Sequence, residues 1–180
     1  MLKKVIQMVV IFSCLSLSNI VSAAETFTLT NAQKGMCLDA KGYSAQKRTS
    51  VQLYHCDGYD DQRWYFANEF GQPVSLSQAR LGYYNIRNVK SNLCLDAKGH
   101  TGSKDDSVII YTCEPPSYRS EDQTWKLEAW PGNAGNVLNG AKNRCLDVGG
   151  TSAGAGANVQ LWTCEGYEDQ FWTVTDIEYN

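Results

Sequence analysis

Val51-Gln52-Leu53-Tyr54-His55-Cys56, followed by Gln62-Arg63-Trp64, decides the reading of this chain, because both pieces return twice. Val108-Ile109-Ile110-Tyr111-Thr112-Cys113 precedes Gln123-Thr124-Trp125, and Val159-Gln160-Leu161-Trp162-Thr163-Cys164 precedes Gln170-Phe171-Trp172. Each closing cysteine has a partner 19 residues upstream, in Cys37-Leu38-Asp39, Cys94-Leu95-Asp96 and Cys145-Leu146-Asp147. The opening cysteine recurs after 57 residues (37 to 94) and then after 51 (94 to 145). One supersecondary unit is therefore used three times, the mark of a repeat architecture. Three copies of a site-bearing unit point to multivalent binding rather than to one catalytic cleft.

Ahead of the repeats, Met1-Leu2-Lys3-Lys4, an apolar run from Val5 to Val21 and then Ser22-Ala23-Ala24 give a basic n-region, an h-region and a small-residue cleavage site. Residues 1–23 thus read as a secretory signal peptide, cut after Ala23 or Ala24. Ser13, Ser16, Ser18 and Asn19 dilute the run, whereas an uncleaved span needs roughly 20 predominantly apolar residues; no membrane insertion is expected. Cleavage removes Cys14 and leaves six cysteines, which in principle pair in about 15 ways. Three copies of one unit should close three copies of one bond, so the expected disulfides are Cys37–Cys56, Cys94–Cys113 and Cys145–Cys164. The compartment is then oxidising and the protein secreted or otherwise extracytoplasmic. A 19-residue separation is not ligand spacing, and no CxxC or CxxH occurs, so no metal ligands and no cofactor are assigned. His55 and His100 stand isolated in the sequence.

Without Lys3 and Lys4 the chain carries 16 − 2 = 14 basic against 19 acidic residues, a net charge of −5. That excludes nucleic acid, whose binders need a basic stripe, and argues against an anionic membrane surface. Residues 25–180 amount to one domain's worth of chain. The repeats fill it, as lobes of about 26–78, 79–130 and 131–180.

Aligning the units on their first cysteine places Leu29, Ile86 and Val137 eight residues before it and Asn31, Asn88 and Asn139 six before it. Gly35, Asn92 and Asn143 stand two before it, types that tolerate a left-handed turn. A strand, a tight turn and a second strand beginning at Cys-Leu-Asp follow. Glycines come next at Lys41-Gly42, Lys98-Gly99 and Gly149-Gly150. The third strand alternates, with Val and Leu or Ile on one face and Gln or Ile plus the aromatic on the other. A loop, longer in unit two where Pro115-Pro116 is inserted, leads to Gln-x-Trp and a fourth strand carrying Phe66, Leu127 or Val174. No helical periodicity appears, so the expectation is all-β, about twelve strands.

Cys-Leu-Asp, the 19-residue cysteine spacing, the apolar-aromatic strand and Gln-x-Trp, three times over, resemble the ricin B-type lectin domain, the QxW β-trefoil also seen as a carbohydrate-binding module. The resemblance covers residues from about 26 to 180. It implies three four-stranded lobes around a pseudo-threefold axis, with Trp64, Trp125 and Trp172 in the shared core. It also implies sugar sites. A sugar ring needs a flat aromatic for its C–H face and fixed polar groups for its hydroxyls. Carried onto this chain, lobe one offers Asp39, Gln52, Tyr54, Asp61 and Gln62. Lobe two offers Asp96, Ile109, Tyr111, Asp122 and Gln123, and lobe three Asp147, Gln160, Trp162, Asp169 and Gln170. By resemblance the first Asp accepts from two ring hydroxyls, the aromatic stacks, the corner Gln braces the Asp, and Gln52 or Gln160 adds a contact that Ile109 lacks.

The chain departs from the family's pattern at one place. Asn usually precedes the corner Gln, and here Asp61, Asp122 and Asp169 stand there, with Asp60, Glu121 and Glu168 before them. An ionised Asp only accepts, and a second carboxylate beside the first carries an electrostatic penalty. The consequences are altered sugar preference, weaker binding or a calcium-assisted site. Calcium ranks last, since it takes six to eight ligands. The expected function is a secreted lectin with up to three shallow sites for galactose-type or related glycans. The alternative is a glycan-targeting delivery or accessory subunit with a toxin or enzyme partner. Neither a nucleophile–His pair nor a nucleophile elbow appears, and trefoil lobes offer only shallow pockets, so no catalytic residue and no enzyme activity is expected.

Overall fold

The computed structural model describes residues 24–114, 121–128, 133–150 and 154–179. The expected signal peptide, except for Ala24, and the inserted Pro115-Pro116 loop lie outside the described residues. The strands run β1 (Glu25–Asn31), β2 (Cys37–Ala40), β3 (Thr49–Tyr54) and β4 (Trp64–Ala67) in lobe one. Lobe two has β5 (Tyr84–Asn88), β6 (Cys94–Ala97), β7 (Val108–Tyr111) and β8 (Thr124–Leu127). Lobe three has β9 (Val137–Asn139), β10 (Cys145–Val148), β11 (Ala157–Trp162) and β12 (Trp172–Tyr179).

The first and fourth strands of the lobes pair in succession, β1–β4, β4–β5, β5–β8 and β8–β9, all antiparallel. β12 closes the barrel on β1, and the Gly135–Trp172 bridge joins the third lobe's ends. The second and third strands form the hairpins β2–β3, β6–β7 and β10–β11. These three hairpins cap one end of the barrel as a ring through β3–β7, β11–β3 and the Ser107–Gln160 bridge. This is the β-trefoil, with one disulfide in each lobe: Cys37–Cys56, Cys94–Cys113 and Cys145–Cys164. Gly35, Asn92 and Asn143 all hold the left-handed conformation, at φ of 60°, 55° and 52°. There the tight turn folds the second strand back on the first.

Trp64, Trp125 and Trp172 are fully buried. Their indole N–H groups donate to the carbonyls of Leu38, Leu95 and Leu146 at 2.9–3.0 Å. Each ring removes on the order of 200 Å² from water, and its one polar atom is satisfied by the hairpin strand above it. The tryptophans therefore tie cap to barrel. Leu38, Leu53, Leu95, Ile110, Leu146 and Leu161 from the hairpins complete the common core.

Besides 3₁₀ turns at Glu121–Gln123 and Glu168–Gln170, the described residues of this all-β fold hold one α-helical turn that the expectation did not place, α1 (Leu76–Ala79). Its signal is local. Ser75 accepts from the Gln78 amide while the Gln78 side chain accepts from the Ser75 amide, a capping box. Among the described residues no helix is long and apolar enough to cross a membrane.

Candidate functional site

The hairpin register builds the same outward-facing group three times. Asp39 lies opposite Gln52, Asp96 opposite Ile109, and Asp147 opposite Gln160. Tyr54, Tyr111 and Trp162 lie opposite the opening cysteines, two positions along. Because strand side chains alternate, the leucines and valines between them enter the core while the acid and the aromatic share the outer face. Tyr54 is exposed, whereas Tyr111 and Trp162 are half-buried.

The three acids are nearly enclosed, Asp39 at 3 %, Asp96 at 3 % and Asp147 at 4 % exposure. Gln62, Gln123 and Gln170 hold them from below, donating to the Oδ2 of Asp39, Asp96 and Asp147 at 3.1, 2.7 and 3.1 Å. The second N–H of each amide goes to the carbonyl of His55, Thr112 or Thr163. Its oxygen accepts from the backbone of Asp57, Glu114 or Glu165. These amides are fully buried with both donors used, so they position the acid and have no donor left for a ligand. Gln52 and Gln160 donate to the Oδ1 of Asp39 and Asp147 at 2.8 and 2.9 Å. A carboxylate offers about four acceptor sites, so each braced acid keeps lone pairs for ligand hydroxyls.

The corner carboxylates sit beside these acids. Asp61 and Asp122 are buried and Asp169 half-buried, and one oxygen each of Asp61 and Asp169 is buried without a hydrogen-bond partner. Burial, and then the neighbouring Asp39, push Asp61 up to about 6. Asp57 adds to this, while Asp60 points to solvent. Burial also raises Asp39 and Asp147, opposed by two glutamine bonds each. Asp96 has a single glutamine donor, because Ile109 replaces the other, and burial holds it at about 6. Burial likewise raises Asp122 and Asp169.

A model of the ricin-type β-trefoil lectin domain matches residues 82–179, and one of the ricin-type β-trefoil lectin domain-like group matches residues 17–111. The chain belongs to the ricin-type β-trefoil lectin family. It is similar to the galactose/N-acetylgalactosamine-binding lectin CEL-III of Pseudocnus echinatus, 32% identical over 157 residues, 81% of this chain. The chain spans 30% of the length of that relative. In the crystal structure of the hemolytic lectin CEL-III the match covers 84% of this chain and 30% of that one, at 28% identity and a TM-score of 0.61. The designed threefold-symmetric protein ThreeFoil gives a TM-score of 0.71 at 25% identity, over 84% of this chain and 98% of that one.

The lobes of this ricin-type domain differ around their common group. Lobe one has a pocket of about 690 Å³ walled by Tyr43, Tyr54 and Tyr59 above Asp39 and Asp61. Lobe three has a smaller one of about 280 Å³, with Trp162, Tyr167, Glu165 and Asp169 around Asp147. Sequence reading missed Tyr59 and Tyr167, although Gly58-Tyr59 and Gly166-Tyr167 repeat two and three residues after the closing cysteine. His100 is not isolated. Its Nδ1 lies 2.7 Å from Asp122 and its Nε2 3.9 Å from Glu114. A left-handed turn at His100 (φ 59°) brings it to the lobe-two corner, a contact between residues 22 apart that spacing could not reveal. The three ligating-type atoms lie within 4.8 Å of one another. His55 packs edge-on against Tyr54, with ring centroids 5.6 Å apart.

The aligned asparagines also gain a role. Asn31, Asn88 and Asn139 are fully buried and donate to the carbonyls of Asp169, Asp61 and Asp122 at 2.9–3.0 Å. Each lobe's asparagine thereby clamps the corner of the lobe before it, in a cycle.

Proposed function

We propose that this domain is a secreted carbohydrate-binding lectin with up to three shallow sites, one per lobe, for galactose-type glycans. The observation that carries the reading is a braced, nearly enclosed carboxylate beside an outward aromatic, repeated three times. The acid accepts from two adjacent hydroxyls and the ring covers the apolar face of the sugar. Galactose and N-acetylgalactosamine enter from the name of the CEL-III relative. A single shallow site corresponds to a Kd of about 1 mM, or about −4 kcal/mol, and three on one rigid body gain avidity on a repeated glycan. Asp39, Asp96 and Asp147 are the proposed acceptors and Tyr54, Tyr111 and Trp162 the stacking rings. Gln62, Gln123 and Gln170 are positioning residues. The domain acts by binding, without catalysis.

The unpartnered oxygens of Asp61 and Asp169 favour a ligand that brings hydroxyl donors, or a cation, to the corner. Titration with methyl β-galactoside in calcium and again in chelator separates these. Saturable binding unchanged by chelator assigns the corner to hydroxyls, and binding only in calcium assigns a bridging ion. No binding to any mono- or oligosaccharide by folded protein sinks the lectin reading.

A second reading rests on the relative's greater length: a module of this kind delivers an attached or associated partner to a glycosylated surface. Co-purification of a partner from the native source supports it, and an isolated monomer there counts against it. Secretion rests on the basic-apolar-small pattern of residues 1–24 and on three disulfides. Amino-terminal sequencing of the natural protein should begin at Ala24 or Glu25.

A further inference from the structure

We infer that the sugar pocket of lobe two is completed by lobe one, and that Arg48 makes it select a sugar bearing a carboxylate or a sulfate. The inference rests on the lectin reading above and adds the ligand class of one site.

The cap ring contains a threefold contact at the residue eleven after each opening cysteine (48 − 37, 105 − 94 and 156 − 145). Arg48 donates its backbone N–H to Ile110, Asp105 to Leu161 and Gly156 to Leu53, at 2.8, 2.9 and 2.7 Å. All three have positive φ, 71°, 72° and 90°. The accepting residue immediately precedes the pocket aromatic of the next lobe, so this position sits beside Tyr111, Trp162 or Tyr54. The backbone is repeated and the side chains are not. Lobe one receives only a glycine, lobe three an aspartate and lobe two an arginine. Asp and Gly adopt this conformation readily, whereas an arginine there is strained by about 1 kcal/mol or more, with no short polar group to offset it. Such strain is a pointer to function.

The guanidinium Cζ lies 5.9 Å from the centre of the Tyr111 ring. Arg48 and Ser50, both from lobe one, line a pocket of about 490 Å³ together with Lys98, His100, Asp96 and Tyr111 of lobe two. His100 covers the corner acid Asp122 at 2.7 Å, so the described lining presents Arg48 and Lys98 against one open carboxylate, Asp96. Lobe one is the reverse, with Lys41 in the lining and Lys90 over the Tyr43 ring against three carboxylates, Asp39, Asp57 and Asp61. The lining of lobe three holds Asp147, Glu165 and Asp169, against the one ammonium of Lys104, whose Nζ lies 3.5 Å from the centre of the Trp162 ring. Asp96 still accepts a ring hydroxyl, since Ile109 offers its Oδ1 no donor. A substituent anion on the same sugar then meets the arginine fork, which matches carboxylate and sulfate geometry bidentately.

The test uses the full chain with Asp39→Asn and Asp147→Asn, which silences lobes one and three. Isothermal titration at low and high salt compares methyl β-galactoside, galacturonic acid and galactose 6-sulfate. We expect at least one acidic sugar to bind about tenfold more tightly than the neutral one, the yield of one charge-assisted pair. Arg48→Gly, the residue lobe three itself supplies at this position, should abolish the preference of the acidic over the neutral sugar. Arg48→Lys should retain part of it, and high salt should weaken it. Whether the carboxylate or the sulfate wins identifies the anion. Equal affinity for all three sugars, or a preference that survives Arg48→Gly, overturns this inference and leaves the lectin reading standing. Failure of all three sugars to bind lobe two overturns both for that lobe.

Discussion

Replacing Gln62 by Ala should be far more damaging than replacing Gln52 by Ile, although both glutamines hold Asp39. Gln62 makes three bonds from a fully buried amide: to Asp39 Oδ2 at 3.1 Å, to the His55 carbonyl at 2.8 Å and from the Asp57 amide at 3.0 Å. Its removal strands two backbone groups and one carboxylate oxygen, each worth about 1–3 kcal/mol when fully buried. The two backbone groups lie close to exposed residues that admit water, so the total falls to about 3 kcal/mol. For a chain of this size that lowers Tm by roughly 6–12 °C. Gln52 makes one side-chain bond, to Asp39 Oδ1 at 2.8 Å, and Ile109 is the chain's own example of its replacement. A β-branched residue suits the strand, so the cost should be about 1 kcal/mol or less. Thermal unfolding followed by near-UV circular dichroism reads both. A Gln62→Ala melt within about 2 °C of the parent, or a reversed order, would refute the strut assignment.

Asp61→Asn tests the paired carboxylates. The folded value of about 6 exceeds the ordinary value near 3.9, so the folded chain holds this proton more tightly than the unfolded one. Ionisation then opposes folding as pH rises from about 4 through about 6; Asp61→Asn should stabilise at pH 7 and lose its advantage at pH 4, and a gain largest at pH 4 contradicts this. Lobe-two sugar binding should weaken as pH falls through about 6, where Asp96 takes up its proton, read by titration of the Asp39→Asn/Asp147→Asn protein; flat affinity from pH 7.5 to 5 would remove Asp96 as acceptor. Asn88→Ala should weaken sugar binding in lobe one, whose corner it clamps, more than in lobe two, where it resides; NMR shifts of Trp64 and Trp125 indole protons report which lobe responds. Removing Cys145 and Cys164 together should cost about 3 kcal/mol in chemical denaturation, the value for a loop near 20 residues, and no measurable loss would contradict it.

The fold was legible because its deciding features are local and repeated. Alternation in Val51–Tyr54 and its copies set the strand faces, and the left-handed turns at Gly35, Asn92 and Asn143 were readable from residue type. That a corner glutamine braces the hairpin acid came from the resemblance to the ricin B-type domain, and the repeat told only which residues occupy those places in each lobe. What escaped lies where the threefold pattern breaks or crosses between lobes. Lobe one makes the same left-handed turn at Tyr43 (φ 55° against 59°), but a histidine stands there only in lobe two, so its reach to Asp122 is not part of the repeat. Arg48 belongs by sequence to lobe one and by position to lobe two. Asn31, Asn88 and Asn139 were visible as a repeated column, but alignment on the cysteine does not say that they bond the neighbouring lobe. The α1 turn was hidden by its length, too short for any periodicity to show.

The central claim is that the three hairpin acids hold sugars, and a broad glycan array tests it most directly. The mature protein is compared with Asp39→Ala, Asp96→Ala and Asp147→Ala, singly and together, each first shown to be folded by its melt. The account predicts binding to galactose-type glycans that falls in steps with each single change and vanishes in the triple variant. Binding that persists undiminished in the triple variant, or its absence from the unaltered protein, would contradict it.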